Sequence, residues 1–439
     1  MPLSQAYAAH ATAGSFQTLR HPASPLPWQQ PNATEAYAAE QLGRAAGYLA
    51  FPWASWIDVA RDQPPPPVPL ASGPAQQPLA TVGQHIETLQ HAALLRRCGV
   101  TDLFWSHATT GTWHHQGLRI HAFPLFPVRC STHPGPPGGV PLAQRRWLYS
   151  FQGVYRPELY LTPVRQWILA LPRRSDALLE SRREWHFEQQ VYREQVHGEP
   201  ADAGRHAELN AEASSYAEAL QQSVFALCPS GSGPNSIRLW EALGYGAIPV
   251  ILADTLSLPG DPDLWRQAAL LVPETPEAVA ALPGQLEDLR SEGSGDGSRL
   301  AAMQAAGQQL WQRYGLPDFV ADLRQFLVEP DGFLLAASGR RLAVHAPDTQ
   351  PLLHSAGSAS ALPIELSRLL AGHPITQPLL LQISDPAPLP LLEARWRAPL
   401  QLAQRLLAGR SWALSCRSPI LEQQVESPDS QRLATTTNT

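Results

Sequence analysis

Apolar positions along the chain alternate between helical spacing and the short apolar runs of buried strands. Because helices and strands that alternate through short connections form parallel sheets with helices on both faces, the fold class is predicted to be α/β. Helices are predicted over Glu35–Tyr48, Thr81–Arg97, Arg182–Gln195 and Ala207–Gln222. Strands are predicted over Tyr48–Ala60 (with a turn), Val100–Gly111 (running into a loop), Ile120–Val128, Arg145–Gly153, Ser223–Cys228, Ala247–Leu252 and Pro378–Ser384.

The Gly- and Pro-rich segment Ser131–Pro141 divides this pattern into two α/β units. We predict an extended arm over residues 1–30, one Rossmann-like half over 31–140, a second over 141–330 and a C-terminal extension of unknown role over 331–439. A cleft is expected between the two halves. Gln63–Pro69 and Ser291–Ser298 are predicted to be loops.

Composition excludes several function classes. The chain has 439 residues, and all 32 of its basic residues are Arg, so no Lys is available for a Schiff base or a Walker A loop. Any phosphate must be bound by Arg, by backbone amides or by a helix N-terminus. A net charge of −6 argues against a nucleic-acid partner. The N-terminus lacks signal-peptide features and no apolar run is long enough to span a membrane, so a cytoplasmic protein is expected.

The segment Ser223–Asp254 carries the clearest chemical pattern: a strand, a glycine-rich turn, a helix and a second strand. Ser230, Gly231 and Gly233 let the backbone approach a ligand closely, and Pro234 suits a first helical turn. The start of the helix, including Ser236, then offers free amides to a phosphate.

Three polar residues of this helix share one face, which is predicted to be exposed. They are Asn235, Arg238 and Glu241, spaced by three. Arg238 would neutralise a diphosphate, and Glu241 would accept hydrogen bonds from ribose or sugar hydroxyls. An ordinary Arg–Glu helix pair is the alternative, and the preceding strand and glycine turn favour the binding site.

These residues resemble the exostosin-like glycosyltransferases. The resemblance rests on Phe225–Pro229, Gly231, Ser236, Arg238, Glu241–Leu243, Gly246, Ile248–Val250, Asp254, Leu258–Gly260 and Asp263–Glu274, with weaker likeness over Phe51–Asp58, Asp102–Gly111 and Arg145–Gly153. It implies a GT-B fold with two Rossmann-like domains. The C-terminal half would bind a nucleotide-sugar donor and the N-terminal half, over 31–140, an acceptor, and transfer would invert the anomeric centre. Eukaryotic members carry a membrane anchor, so a bacterial-type enzyme is expected here.

Inverting transfer needs a general base on the acceptor side of the cleft. The candidates are His107, Asp102 and Asp58, with His107 favoured because it opens the loop after a strand and has an ordinary pKa near 6.5. Further phosphate candidates are Arg146, Arg156 and Arg165, of which Arg156 is the preferred one.

Metal binding is not expected. Asp261 and Asp263 have D-x-D spacing, but their surroundings favour a turn and a helix N-cap. The histidines His107, His114, His115 and His121 lack an accompanying Cys or carboxylate cluster, so a zinc site is disfavoured. No cofactor is predicted besides the nucleotide-sugar co-substrate.

The sequence therefore predicts a metal-independent, inverting glycosyltransferase. Its partners would be a nucleotide-sugar donor and a glycan or lipid-linked acceptor, with peripheral membrane contact allowed. The alternative is a non-catalytic glycan- or nucleotide-binding scaffold that keeps the fold and lacks the base. A glycoside hydrolase would need two facing carboxylates, for which no motif is present.

Overall fold

The computed structural model describes most of the chain up to residue 334 and short pieces beyond it. The described residues are 28–29, 32–60, 78–136, 139–182, 188–200, 202–293, 298–330, 333–334, 352–356, 359, 362–372, 379–383, 396, 399, 402–403, 406–407 and 412–415. The predicted arm, apart from residues 28–29, and the predicted loop Gln63–Pro69 lie outside these ranges. So does part of the predicted loop Ser291–Ser298.

The first sheet contains four strands in the order β1-β2-β4-β3, of which β1, β2 and β4 are parallel and β3 is an antiparallel edge. The strands are β1 Ala80–Gly83, β2 Asp102–Trp105, β3 His114–His115 and β4 Leu118–Ala122. The helices of this part are α1 Thr34–Leu42, α2 Trp53–Ala60, α3 Ala92–Arg97 and α4 Val128–Thr132, with a 3₁₀ turn at Thr88–His91.

The second sheet contains five parallel strands in the order β6-β5-β7-β8-β9. The strands are β5 Trp147–Gly153, β6 Ala177–Ser181, β7 Ser223–Pro229, β8 Ile248–Leu252 and β9 Leu270–Leu271. The helices are α5 Val164–Leu169, α6 Ala203–Gln221, α7 Ile237–Gly244, α8 Pro262–Ala268, α9 Pro276–Ser291 and α10 Arg299–Tyr314, with a 3₁₀ turn at Leu142–Gln144 and a π-helical segment at Glu188–Val196.

The order of the second sheet reverses between β5 and β7, which defines its topological switch point. In open parallel sheets, ligands bind at the carboxyl ends of the strands beside this point. Strand β7 is buried along its whole length because its two faces contribute to two different cores. Phe225 and Leu227 pack on one side, and Ala226 and Cys228 pack on the other. This explains why β7 is a continuous apolar run rather than an alternating one.

Two loops join the parts that carry the two sheets. The amide of Thr110 donates to the carbonyl of Thr255 at 2.9 Å, and the amide of Ser257 donates to the carbonyl of Ala108 at 2.9 Å. Residues after β2 therefore pair through their backbone with residues after β8, so the carboxyl ends of strands from both sheets lie close together.

Helix α11, Ala321–Val328, packs against the first sheet although it follows the second in sequence. Phe326 lies 5.5 Å from Phe104 of β2, measured between ring centroids. Helix α11 therefore contributes to the core of the first sheet. The sequence prediction had instead assigned all residues from 141 to 330 to the second half. A third sheet of parallel strands, β10 Leu352–Ala356, β11 Leu379–Ile383 and β12 Trp412–Ser415, with helix α12 Leu362–Gly372, belongs to that extension.

Two predicted elements of the N-terminal part are wrong. Tyr48–Ala60 was expected to be a strand and turn, but Trp53–Ala60 is helical. Its aromatic residues Trp53 and Trp56 are spaced by three and enter one core, and a strand cannot place that spacing on a single face. Within the predicted helix Thr81–Arg97, residues 80–83 form β1, and only Ala92–Arg97 are α-helical.

Candidate functional site

A cavity of about 230 Å³ lies where the carboxyl ends of β1, β2, β5 and β7 meet. One wall follows the first sheet and includes Gln29, Asn32, Asp58, Gln84, His85 and His107. The opposite wall follows the second sheet at its switch point and includes Gly153, Arg165, Gly231, Ser236, Arg238 and Glu241. This is the location that parallel-sheet topology predicts for a ligand.

Arg238 is one of the cations of the second wall, and it is only 7% exposed. Its Nη2 donates to the backbone carbonyl of Gln152 at 2.5 Å, and its guanidinium lies 4.5 Å from the ring centroid of Phe151. Its Nε and Nη1 are buried without a hydrogen-bond partner among the described residues. Since a guanidinium stays protonated and unmade buried hydrogen bonds are costly, these donors favour an anionic ligand.

The N-terminus of α7 adds backbone donors to the same wall. Ser236 is the N-cap in extended conformation, and its hydroxyl makes no capping hydrogen bond there. A helix N-terminus carries free amides and a partial positive charge, which suit a phosphate. Pro234 precedes α7 instead of lying in its first turn, so that prediction is wrong by one turn.

Arg165 links the glycine turn to the residue that follows β5 through two hydrogen bonds. Its Nε donates to the carbonyl of Ser230 at 2.9 Å and its Nη1 to that of Val154 at 3.3 Å. A Cβ atom on Gly231 would lie 3.3 Å from Nη2, a tight contact that leaves little room for a side chain here. Burial lowers the pKa of Arg165 to about 10, so it is charged near neutral pH and makes this wall more positive.

Glu241 is buried and holds protein groups with both carboxylate oxygens. Oε1 accepts the amide of Arg129 at 2.9 Å, and Oε2 accepts the hydroxyl of Tyr216 at 2.9 Å. Burial raises the pKa of Glu241. In the predicted contact, the ribose hydroxyls would therefore bind the same carboxylate oxygens of Glu241 that already accept protein hydrogen bonds, one of them from the start of α4.

The three polar residues predicted to share an exposed helix face are buried instead, which corrects the sequence prediction: Asn235 precedes α7, and Arg238 and Glu241 lie within it. Asn235, Arg238 and Glu241 are all at most 7% exposed. Asn235 donates to the carbonyl of Ser106 at 2.6 Å and accepts from Trp240 Nε1 at 2.9 Å. It thus joins the two sides of the cavity rather than facing a ligand freely.

The other residues of the glycine turn also have structural partners. Ser230 donates from its hydroxyl to Glu274 Oε1 at 2.5 Å. A Cβ atom on Gly233 would lie 2.4 Å from Nδ1 of His107 and 2.8 Å from Ile86. Gly233 is therefore required by the close approach of the two walls.

Asp102 does not reach the cavity, so the structure contradicts its expected role as a base. It is fully buried in β2 and accepts from Arg119 Nε at 2.8 Å and from Arg119 Nη2 at 2.8 Å. His121 Nε2 lies 2.8 Å from the same carboxylate. Although burial opposes it, the Arg119 guanidinium, helped by the hydrogen bond with His121, holds the pKa of Asp102 well below its usual range. An ion pair inside the sheet is the physical reason for its position.

The other two base candidates both line the cavity. His107 is buried, and its Nδ1 has no hydrogen-bond partner among the described residues. Burial, reinforced by nearby His85, lowers the pKa of His107 to about 3, which corrects the ordinary value assumed from sequence. Asp58 lies on α2, with its Oδ2 2.5 Å from Gln29 Nε2 and its Oδ1 3.2 Å from His85 Nε2.

The remaining candidates lie outside the cavity. Arg146 stacks on Trp147 at 4.1 Å, at the amino end of β5 and so at the opposite edge of the sheet. Arg156 follows β5 but does not line the cavity. Asp261 caps α8 by accepting the amide of Asp263 at 2.9 Å, which confirms the predicted N-cap.

Sequence reasoning missed several cavity residues, among them Gln29, Gln84, His85, Arg182 and Tyr216. The β-branched residues Thr81 and Val82, followed by Gly83, were the available signal for a short strand. The end of that strand brings Gln84 and His85 to the cavity. Arg182 and Tyr216 had no such signal, since their positions depend on packing.

The fold and the cavity together define an α/β protein with parallel sheets and a cavity at the switch point that is lined by arginines. Residues 91–282 match the Exostosin GT47 domain, so this part of the chain is similar to that glycosyltransferase family. The resemblance seen in the sequence is thereby confirmed.

Curated relatives share a short, well-matched region with the chain. The probable glucuronosyltransferase GUT1 of Oryza sativa subsp. japonica is 48% identical over 60 residues, which cover 13% of this chain and 14% of the relative. The probable beta-1,4-xylosyltransferase IRX10 of Arabidopsis thaliana is 45% identical over 60 residues, covering 13% of this chain and 15% of the relative. Both relatives are plant proteins and give no support to the expected bacterial type.

Among the described residues, no helix has the length and apolarity needed to cross a membrane.

Proposed function

We propose that this protein transfers a sugar from a nucleoside-diphosphate sugar to a glycan acceptor. The observation that carries the proposal is the Arg238 guanidinium, which is buried at the switch point and has two nitrogens without a hydrogen-bond partner among the described residues. A diphosphate offers the charge and the oxygen acceptors that this group lacks. The two parallel sheets, whose carboxyl ends meet at one cavity, support a GT-B arrangement with the donor on the second wall and the acceptor on the first.

Arg238 and the α7 N-terminus would act where charge develops during the reaction. As the bond between the anomeric carbon and the diphosphate breaks, negative charge grows on the departing phosphate oxygen. Donors fixed in a buried site stabilise that charge without reorganisation. Because Arg238 and Arg165 supply two positive charges at this wall, we propose that transfer does not depend on a metal ion.

The relatives' names suggest which sugars to test first. They describe glucuronosyl and beta-1,4-xylosyl transfer, so glucuronate and xylose are the proposed donor sugars, with a xylose-containing oligosaccharide as the proposed acceptor. A carboxylate on the donor would meet a positive wall that includes Arg182 as well as Arg238.

The proposal is tested in two steps with the purified chain. A thermal-shift screen against UDP-, GDP- and ADP-sugars measures donor binding, since a ligand that binds the folded state raises the unfolding temperature. Release of nucleoside diphosphate is then measured with and without β-1,4-xylo-oligosaccharides. We expect stabilisation by at least one donor and acceptor-dependent release. Binding without release from any donor would favour the non-catalytic scaffold, and no binding would contradict the proposal.

A further inference from the structure

The carboxylate of Asp58 is fixed on the first wall of the cavity by two neighbouring side chains. Gln29 Nε2 donates to Oδ2 at 2.5 Å, and His85 Nε2 lies 3.2 Å from Oδ1. The three residues come from separate places in the chain: Asp58 from α2, His85 from the end of β1 and Gln29 from the segment before α1. All three line the cavity.

The hydrogen bond that the His85 ring accepts determines which ring nitrogen carries the proton. Nδ1 accepts the amide of Glu87 at 3.1 Å, so the neutral ring carries its proton on Nε2. The hydrogen on Nε2 therefore lies beside Oδ1 of Asp58, with the two heavy atoms 3.2 Å apart, and His85 has no free ring nitrogen to take a proton from a ligand. The proton-accepting atoms of the pair are the carboxylate oxygens of Asp58.

The other acidic and basic groups along the cavity are less suited to accept a proton. Glu241 is 1% exposed and lies on the second wall beside Arg238, on the side of the departing diphosphate and not of the acceptor. Glu212 lies on the second wall and is paired with Arg182 at 3.5 Å and with Arg205 at 3.7 Å. His107 is buried, and burial lowers its pKa to about 3. Each oxygen of Asp58 takes part in one contact and keeps a lone pair, because an ionised carboxylate has about four acceptor positions.

We propose that Asp58 is the general base of the transfer and that His85 and Gln29 are its positioning residues. This inference rests on the proposed function. In the step, the acceptor hydroxyl oxygen bonds to the anomeric carbon, and the bond from that carbon to the diphosphate oxygen breaks. The bonding electron pair leaves with the diphosphate, and the hydroxyl proton moves to Asp58. Since Asp58 and Arg238 lie on opposite walls, attack and departure occur on opposite faces, which inverts the anomeric centre.

The first test separates proton transfer from donor binding. Asp58→Asn keeps the shape of the side chain and removes its basicity, so turnover should fall about 10²–10⁴-fold. The dissociation constant for UDP, measured by calorimetry, should stay within about twofold of the wild-type value. Glu287→Gln, the same exchange at an exposed surface pair with Arg174, is the matched control and should leave both unchanged.

The second test addresses His85 by its pH–rate profile. His85→Leu replaces the polar ring N–H beside Asp58 by an apolar side chain, so turnover should drop and the acidic limb of the profile should move to higher pH. His85→Gln retains an N–H donor and should restore most of both. The charged or titratable groups near this pair include Glu35 on α1, which interacts with Asp58, His107 after β2, which interacts with His85, and Glu87, whose amide donates to His85; all are unchanged in these variants.

The outcomes decide the two proposals separately. Asp58→Asn that binds UDP and turns over within about fivefold of wild type would overturn the assignment of the base. If the acidic limb of the pH–rate profile does not move in His85→Leu, the positioning role is overturned. The comparison of His85→Leu with His85→Gln gives this result even where Asp58→Asn fails to fold. A wild-type protein that neither binds UDP nor releases it from UDP-glucuronate or UDP-xylose would instead contradict the proposed function, and this inference with it.

Discussion

Arg238 donates from Nη2 to the backbone carbonyl of Gln152 at 2.5 Å, which links helix α7 to the carboxyl end of β5. These two elements flank the switch point of the second sheet. The bond fixes the guanidinium in one orientation, and Nε and Nη1 then lack hydrogen-bond partners within the described part of the chain. A fixed cation with free donors is an arrangement suited to a leaving group that gains charge.

His107 should matter more for the acceptor than for proton transfer. Because burial lowers its pKa to about 3, its ring is neutral at physiological pH and weakly basic. We expect His107→Ala to raise the acceptor KM and to lower kcat by less than about tenfold. Steady-state kinetics with varied acceptor measure both. A 10²–10⁴-fold loss of kcat at unchanged KM would instead assign the base to His107, as the sequence suggested.

Gly233 and His107 should be energetically coupled. A Cβ atom at residue 233 would lie 2.4 Å from Nδ1 of His107, so Gly233→Ala forces the ring to move and should cost about 1–3 kcal/mol of stability. In a His107→Ala background the same substitution should cost less, with the nearby Ile86 still opposing it. Denaturant unfolding of the two single variants and the double variant measures the coupling. Additive effects would show that the walls do not approach so closely.

Transfer activity should survive chelation of divalent metals. The diphosphate would be held by Arg238 and by the amides at the start of α7, with Arg165 adding positive charge nearby. The rate of nucleoside diphosphate release is compared before and after EDTA treatment and after Mn²⁺ is restored. Loss of release on chelation, with recovery in Mn²⁺, would contradict metal independence. Asp261 and Asp263 would then be the first residues to test as metal ligands.

Glu35 should make stability depend on pH in a defined window. Burial raises the pKa of Glu35 to about 8, although its carboxylate accepts the amides of Gln84 and Ala54. An unfolded Glu titrates near 4.3. Between these values the folded state holds a proton that the unfolded state releases, so this contribution to stability is full below pH ~4 and is lost as pH rises towards 8. The slope should approach about 1.4 kcal/mol per pH unit.

Glu35→Gln removes this titration and provides the control. Its free energy of unfolding, from urea titrations at pH 5 to 8, should lack the component of the decline that Glu35 causes in the wild type. Parallel pH dependence in the two proteins would show that Glu35 does not hold its proton in the folded state.

The second sheet was predictable because its local and global signals agree. The continuous apolar run at β7, the glycine turn and the amphipathic helix α7 each specify the same strand-turn-helix unit, and the cation Arg238 could be identified from it. The burial of Arg238 and Glu241 could not, because it depends on α4 and Tyr216, which are distant in sequence.

The first wall was predicted less well for two physical reasons. The short strand β1 lies next to helical turns, and this concealed His85 at its end. Asp102 looked suitable because it starts a buried strand, but a carboxylate inside a sheet needs a partner, and Arg119 on the neighbouring strand provides one. Such cross-strand pairing becomes visible only when the register is known.

The binding of nucleoside diphosphates to Arg238→Ala tests the central claim most directly. Calorimetric titration with UDP, GDP and ADP compares the wild type, Arg238→Ala and the control Arg266→Ala, which removes a half-exposed guanidinium paired with Asp263 on α8. We predict that the wild type and Arg266→Ala bind at least one of these nucleotides equally well. Arg238→Ala should lose about 1.5–3 kcal/mol of binding free energy, the range for hydrogen bonds to charged groups. Equal affinity in all three proteins, or no binding by the wild type, would contradict a diphosphate site at Arg238.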